Sequence, residues 1–264
     1  MVPFDSGDET GILVVGHGSR EPGSNPPLLG LCREVELTLR GTPVQPCYLE
    51  LAHPTIDEVL TALFRRGVTR TIVVPLLLTA GRHVRHDIPS LVGRSLARLS
   101  NMFVCFTEHL GSHPQMVAIA DSRLAEALDG LPARPGRTKY VLVARGSRDP
   151  LVRGEFFRWV ASRRFEDDGA GFLPCFLSMA QPTLEDGLQT AMEGEPGRIV
   201  VQPHLLFPGR LVERIHTRAE ELRRKCPHIG WVATGALGPD PRLADCVVDL
   251  AVHASGHRFT REAG

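Results

Sequence analysis

The 264-residue sequence lacks the features that mark several large classes of protein. It carries no net charge, because 30 basic residues balance 30 acidic ones, so no global field attracts nucleic acid or an acidic membrane surface. Only two of the basic residues are lysines, Lys139 and Lys225. No apolar run approaches the roughly 20 residues that span a bilayer. We therefore expect neither a nucleic-acid partner nor a membrane segment.

The cysteines form no recognisable disulfide or metal motif. None of the six belongs to a Cys-x-x-Cys pair, and most lie within apolar runs, as buried thiols do. Residues 1–10 are polar and acidic, without the apolar stretch of a secretory signal. These features predict a reduced, cytoplasmic protein without disulfides, iron–sulfur ligands or zinc-finger spacing.

What the sequence does contain is a regular alternation of predicted strands and helices. The first strand, Ile12 to Val15, is entirely apolar and runs into the turn Gly16-His17-Gly18. Such strands are typical of parallel sheets covered on both faces and joined by right-handed crossovers. The predicted strands are 12–15, 44–51, 71–78, 102–107, 140–143, 172–178, 198–203 and 230–234. The predicted helices are 28–40, 54–66, 87–99, 114–128, 152–164, 183–193, 211–226 and 242–254.

The second half of the chain repeats the first at a shift of 128 residues. Three blocks align in one register: 15–22 with 143–150, 47–55 with 175–183, and 74–83 with 202–211. We predict a duplicated α/β unit, made of two tandem modules related by a pseudo-twofold, each with a parallel four-stranded sheet flanked by helices. The predicted boundaries are a disordered tail at 1–10, modules at 11–131 and 140–258, and a Pro-, Gly- and Arg-rich linker at 132–139.

Three polar residues at predicted strand ends distinguish the two halves. His17, Glu50 and His83 of the first half correspond to Arg145, Ser178 and Leu211 of the second, although the flanking residues are kept. Carboxyl ends of parallel strands meet at one edge of a sheet, where open α/β sheets bind ligands. Two imidazoles and a carboxylate there can coordinate a borderline divalent metal, and they can accept protons near neutral pH. The first half therefore carries the predicted active site, and the second half a degenerate copy.

Other residues near this edge have less defined roles. His86, three residues after His83, is a possible additional ligand, and His53 precedes a predicted helix that it can cap. The sequence does not assign a role to His109 or His113. Asp87 is predicted to cap a helix. Gly16-x-Gly18 does not continue into a dinucleotide motif, because Glu21 stands where the third glycine belongs, and no P-loop lysine is present.

Three longer motifs resemble the class II tetrapyrrole chelatases, specifically the sirohydrochlorin chelatase family. They are GHGSR at 16–20, LELAHPT at 49–55 and VPLLLTAGRHVRHDIP at 74–89, and the resemblance extends over nearly the whole chain. It implies a lyase that inserts Fe²⁺ or Co²⁺ into sirohydrochlorin without ATP, in sirohaem or cobalamin-type biosynthesis. The metal is then a substrate, and no permanently bound cofactor is expected.

The resemblance places the family's two active-site histidines at His17 and His83 and its acidic helper at Glu50. His53 stands where the family usually has an acidic or polar residue. Sirohydrochlorin carries eight carboxylates, so arginines near the histidines are expected to bind its rim in a cleft between the halves. The predicted substrate-binding residues are Ser19, Arg20, Arg82, Arg85, Arg145, Arg148 and Arg210. Since the duplication supplies two modules in one chain, we expect a monomer.

Three alternatives to iron insertion remain open from the sequence. The first is insertion of cobalt or nickel on the same scaffold, which ligand type alone scarcely separates from iron insertion. The absence of a His-rich tail favours iron slightly. The second is a non-catalytic tetrapyrrole or metal carrier, which would not need the proton-accepting set His17, Glu50 and His83. The third is a phosphate-ester enzyme, for which a nucleophile and further glycines are missing.

Overall fold

A computed structural model of the chain describes residues 9–20, 25–163, 171–256 and 259–260. The predicted tail at 1–10 lies outside the described residues except for its last two. Residues 257–258, where the predicted second module ends, and residue 164, where one predicted helix ends, also lie outside them.

Eight strands alternate with eight α-helices in the described part of the chain, as predicted, and their ends differ from the predicted ones by a few residues. The first half contains β1 (Thr10–Gly16), α1 (Pro26–Thr38), β2 (Val44–Tyr48), α2 (Ile56–Arg65), β3 (Arg70–Pro75), α3 (Ile88–Leu96), β4 (Phe103–Phe106) and α4 (Gln115–Leu128). The second contains β5 (Thr138–Ala144), α5 (Pro150–Ser162), β6 (Phe172–Phe176), α6 (Leu184–Met192), β7 (Arg198–His204), α7 (Arg210–Lys225), β8 (Gly230–Ala233) and α8 (Arg242–Ser255).

The strands form two four-stranded parallel sheets with the same topology, β2-β1-β3-β4 and β6-β5-β7-β8. Every residue of β1 is buried, because helices cover both faces of the sheet, and this explains its unbroken apolar run. Leu13 and Val15 pack on one face against α2 and α3. The predicted fold class, two tandem α/β modules with parallel four-stranded sheets, is confirmed.

The packing divides the chain differently from the repeat. One compact unit is formed by the described residues within 1–115 and 241–264, and the other by those within 116–240. Within the first unit, the final helix α8 packs against α1, β3 and β4. Within the second, α4 packs on the other sheet, where Leu124 contacts Tyr140 and Val200. The last helix of each predicted module thus belongs to the compact unit built on the other module's sheet, while the boundaries 11–131 and 140–258 stay a prediction about the repeat.

Two further features concern membrane helices and thiol chemistry. No helix of the described residues combines the length and apolarity needed to cross a membrane.

All six cysteines are free, and five are buried. Burial raises the pKa of the Cys32 and Cys175 thiols to about 12, so both are protonated at neutral pH and are unsuited to nucleophilic attack.

Candidate metal and proton-transfer site

The loops that follow β1, β2 and β3 are held together by backbone hydrogen bonds beyond the strand ends. The amide of Leu49 donates to the Gly16 carbonyl (2.9 Å) and that of Glu50 to the His17 carbonyl (3.1 Å). On the other side of β1, the amide of Leu76 donates to the Val15 carbonyl (2.9 Å). Pairing that continues past the strands fixes the residues after β1 and β2 side by side at the carboxyl edge of the sheet.

His17, Glu50 and His83 meet at this edge. Each contributes one ligand atom, and the three atoms lie within 4.8 Å of one another. His17 Nε2 is 3.6 Å from Glu50 Oε1, and the two imidazole rings are edge-to-face, with centroids 5.0 Å apart and an interplanar angle of 89°. The structure thus brings together the three residues that distinguish the halves. Two nitrogens and one carboxylate oxygen suit Fe²⁺, Co²⁺, Ni²⁺ or Zn²⁺, and the half-exposed rings remain accessible to a ligand.

Gly18 allows Glu50 to approach His17. Its φ is +90°, and a Cβ built on it would stand 1.9 Å from the Glu50 carbonyl oxygen. Only a residue without a side chain fits a left-handed conformation against that oxygen. Gly146 occupies the equivalent place in the second half, with φ of +93° and a Cβ position 1.8 Å from the Ser178 carbonyl oxygen. Both halves therefore keep the same turn for the same backbone contact.

The second half keeps this scaffold without the ligands. The amide of Ser178 donates to the Arg145 carbonyl at 3.1 Å, as Glu50 does to His17. The Ser178 hydroxyl donates to the same carbonyl at 3.2 Å, and Leu211 is 37% exposed. Among the described residues, no cluster of three potential metal ligands was found apart from the one in the first half. The chemistry of the site depends on three side chains, while the backbone around them is common to both halves.

Asp87 orients His83. A π-helical turn, His83–Asp87, precedes α3, and its fifth residue places the Asp87 Oδ2 2.9 Å from His83 Nδ1. This contact leaves His83 Nε2 as the ring nitrogen available to a metal, an arrangement typical of metal-binding histidines. Asp87 occupies the N-cap position of α3, as predicted, but its side chain makes no capping hydrogen bond to the helix. The His-x-x-x-Asp spacing was the sequence signal for this pair, since residues four apart meet on a helix.

The remaining predicted residues are placed around this cluster. His86 is exposed and does not belong to the described cluster. The main chain of Ser19 exchanges two hydrogen bonds with the Asn25 side chain, and Arg20 is exposed. The Arg82 Nε lies 3.3 Å from Asp87 Oδ1. The Arg85 side chain is half-buried. Arg145, Arg148 and Arg210 are exposed in the second compact unit.

Two other histidines make side-chain contacts near the starts of helices. His53 Nδ1 is 3.0 Å from Glu58 Oε2, beside the capping box that begins α2. The backbone hydrogen bond from Thr55, followed by the bond to His53, lowers the pKa of Glu58 to about 2. His113 accepts a hydrogen bond from the Gln115 amide and faces Asp249, and His109 is buried. His53 and His113 are thus held at the starts of helices.

A cavity of about 240 Å³ adjoins the cluster. It is lined by Leu49, Glu50, His83, Asp87, Ser90, Leu91 and Arg94. None of the arginines predicted to bind substrate lines this cavity, and sequence reasoning missed both Ser90 and Arg94. Their spacing of four residues on α3, in helical register with His83 and Asp87, was the available signal.

Comparison with known proteins identifies related sequences and folds. Residues 11–127 and 139–254 each match the CbiX family. The chain is 31% identical over 213 residues to the sirohydrochlorin ferrochelatase of Priestia megaterium, an alignment covering 80% of this chain and 78% of that protein. It is 22% identical over 246 residues to the sirohydrochlorin cobaltochelatase of the same organism, with coverage of 91% and 78%. The structure of SirB from Bacillus subtilis with Fe³⁺ has a similar fold, with a TM-score of 0.82, 24% identity, and coverage of 94% of this chain and 96% of that one.

Proposed function

The chain belongs to the CbiX family, as its resemblance to the sirohydrochlorin chelatases predicted, and from this premise we propose that it inserts a divalent metal into sirohydrochlorin. The reaction uses no ATP and releases two protons. The observation that supports it is the convergence of His17, Glu50 and His83 at one sheet edge. Iron is the favoured metal, because the ferrochelatase relative is more similar in sequence than the cobaltochelatase relative.

The cluster is suited to exchange a metal for protons. Metal insertion forms bonds from the metal to the ring nitrogens and breaks two pyrrole N–H bonds, so two protons leave for each metal that enters. A histidine nitrogen that binds the metal cannot hold a proton at the same time. As the metal passes to the macrocycle, His17 and His83 are released from it, and both can then accept the departing protons near neutral pH. Glu50, 3.6 Å from His17, stabilises the imidazolium that results and relays its proton to solvent.

The orientation of His83 is part of this mechanism. The hydrogen bond from Nδ1 to Asp87 fixes which ring nitrogen faces the cluster. Arg82 is also within 3.3 Å of Asp87, so its guanidinium has a carboxylate partner in the protein. The roles of Arg20, Arg85, Arg145, Arg148 and Arg210 in binding the substrate carboxylates remain predictions.

Cobalt insertion is the second candidate. A nitrogen–nitrogen–oxygen ligand set does not discriminate between Fe²⁺ and Co²⁺, whose selection depends on geometry and supply. The 22% identical cobaltochelatase relative aligns with 91% of this chain, so the same scaffold is compatible with either metal. We further propose that the protein acts in the cytoplasm. We also propose that it is a monomer, because one chain contains both modules.

Anaerobic assays with sirohydrochlorin and Fe²⁺, Co²⁺ or Ni²⁺ in turn test this function through the absorbance change on metal insertion. We expect multiple turnovers, fastest with Fe²⁺. His17→Ala and His83→Ala should each reduce the initial rate by roughly 100-fold or more, the usual range for loss of a general base. The matched control His228→Ala removes an exposed histidine of the second compact unit and should retain the wild-type rate. Wild-type rates in both cluster variants would refute the site, and stoichiometric binding without turnover would indicate a carrier.

A further inference from the structure

The cavity beside the cluster is too small for a whole tetrapyrrole. Its volume of about 240 Å³ lies below the roughly 300–1,000 Å³ of pockets that enclose drug-sized ligands. It can therefore accommodate only one edge of a macrocycle, such as a pyrrole ring with one acidic side chain. The apolar side chains of Leu49 and Leu91 line it together with polar residues.

Charge is distributed unevenly along the cavity. Its helical wall runs in chain order through His83, Asp87, Ser90, Leu91 and Arg94. Successive turns of this wall are three or four residues apart, the spacing that places side chains on one face. The carboxylates of Glu50 and Asp87 lie beside His83, at the beginning of this wall. Arg94, one turn beyond Ser90, is the only arginine or lysine among the described residues that line the cavity. The two ends of the cavity thus attract opposite charges.

Arg94 is exposed, and no ion pair or hydrogen bond engages its guanidinium among the described residues. The next arginine along α3, Arg98, differs in this respect because it is paired with Asp57. A guanidinium offers two parallel donors that match a carboxylate, and a serine hydroxyl one turn away provides a further donor. This pair of residues has the chemistry of a carboxylate subsite.

We propose that Arg94, assisted by Ser90, binds one carboxylate arm of the tetrapyrrole in the cavity beside the cluster. The proposal rests on the proposed function and names a part of the substrate site that the predicted arginines do not supply. The acidic end of the cavity repels carboxylates and accepts the cationic metal, while the Arg94 end accepts the arm.

Arg94→Gln tests this subsite, with Arg94→Lys as the conservative variant and Arg33→Gln, an exposed arginine of α1 outside the cavity, as the matched control. Three quantities are measured: the Kd of metal-free sirohydrochlorin from fluorescence quenching, the steady-state KM and kcat, and the Kd of Co²⁺ alone. Arg94→Gln should raise the sirohydrochlorin Kd and KM by roughly threefold to tenfold, the range for an ordinary net hydrogen bond, because solvent weakens an exposed ion pair. Its kcat and Co²⁺ affinity should match those of the control, since the lost interaction is uniform binding.

Two further results are expected. Arg94→Lys should recover part of the affinity, because it keeps the charge but not the bidentate fork. The difference between wild type and Arg94→Gln should shrink as salt is raised, because salt screens an accessible ion pair. Arg94→Gln indistinguishable from Arg33→Gln, or altered in kcat or Co²⁺ affinity instead of sirohydrochlorin affinity, would overturn the subsite. Failure of the wild type and Arg33→Gln to metallate sirohydrochlorin would instead refute the proposed function, and the subsite with it.

Discussion

Replacing Gly18 by alanine is expected to disable the metal cluster through a backbone contact. The new Cβ would stand 1.9 Å from the Glu50 carbonyl oxygen, whereas Cβ atoms essentially never approach other heavy atoms within 3.0 Å. The two groups must therefore separate by at least about 1.1 Å. Metal and catalytic sites tolerate displacements of about 0.5 Å, and 1 Å can cost about 100-fold in rate, or about 2.7 kcal/mol.

Gly146→Ala is the matched control, because it places a Cβ 1.8 Å from the Ser178 carbonyl oxygen in the same turn of the second half. Each substitution costs about 1–2 kcal/mol for a side chain in the left-handed region, before any cost of moving the partner carbonyl. For a chain of this size, that corresponds to a decrease in Tm of roughly 2–8 °C. We expect similar losses of Tm in both variants, since the local contact is the same.

Co²⁺ affinity, measured by calorimetry at a temperature where both variants are folded, separates the two effects. Gly18→Ala should bind Co²⁺ at least about tenfold more weakly, because Glu50 moves away from His17, and its rate of metal insertion should fall by about 100-fold. Gly146→Ala should bind Co²⁺ like the wild type. Equal Co²⁺ affinities in the two variants, or a wild-type insertion rate in Gly18→Ala, would refute the reasoning.

Three other outcomes follow from the structure. Asp87→Asn should weaken Co²⁺ binding by about 10- to 100-fold while Asp87→Glu restores part of it, because the carboxylate orients His83; unchanged calorimetric affinity in the Asn variant would contradict this. His86→Ala should leave Co²⁺ affinity unchanged, since His86 is exposed and outside the cluster, and a loss would make it a ligand. Burial lowers the pKa of His204 from 6.5 to about 3. As the pH falls, His204 is therefore protonated in the unfolded state before it is protonated in the folded state. The folded protein is not destabilised by this group above pH 6.5, and it loses stability progressively as the pH falls towards 3. His204→Leu introduces the residue found at the equivalent position of the first half, Leu76. At pH 5 this variant should lack about 2 kcal/mol of the acid destabilisation that denaturant titrations show for the wild type. If the free energy of unfolding of the variant depends on pH as that of the wild type does, His204 is not the source of the acid destabilisation.

Local patterns were sufficient to predict the order of strands and helices. The apolar run Ile12–Val15 suits a strand buried on both faces, and the glycines at 16 and 18 allow the chain to turn sharply after it. The helix beginning after Thr55 is specified by neighbouring residues, since Thr55 and Glu58 form a capping box. These features depend on interactions over a few residues, and the sequence displays them directly.

The candidate metal ligands were also predictable, for a topological reason. In parallel sheets every strand ends at the same edge, so residues that follow neighbouring strands must lie near one another. Comparison with the second half removed the residues that serve the scaffold, because Gly18 and Gly146 perform the same backbone role. What remained was His17, Glu50 and His83, whose ligand atoms the structure places within 4.8 Å of one another.

The sequence by itself thus determined the two α/β modules and indicated which residues form the candidate metal cluster. Only the tertiary structure decided that Asp87 bonds to His83 instead of capping α3, because the π-helical turn changes where its side chain points. It also decided that Arg94 shares a cavity with the cluster, and that α4 and α8 each pack on the other module's sheet. These outcomes depend on how apolar faces distant in the chain cover one another, and amphipathic periodicity shows that a face is buried without specifying the surface that buries it.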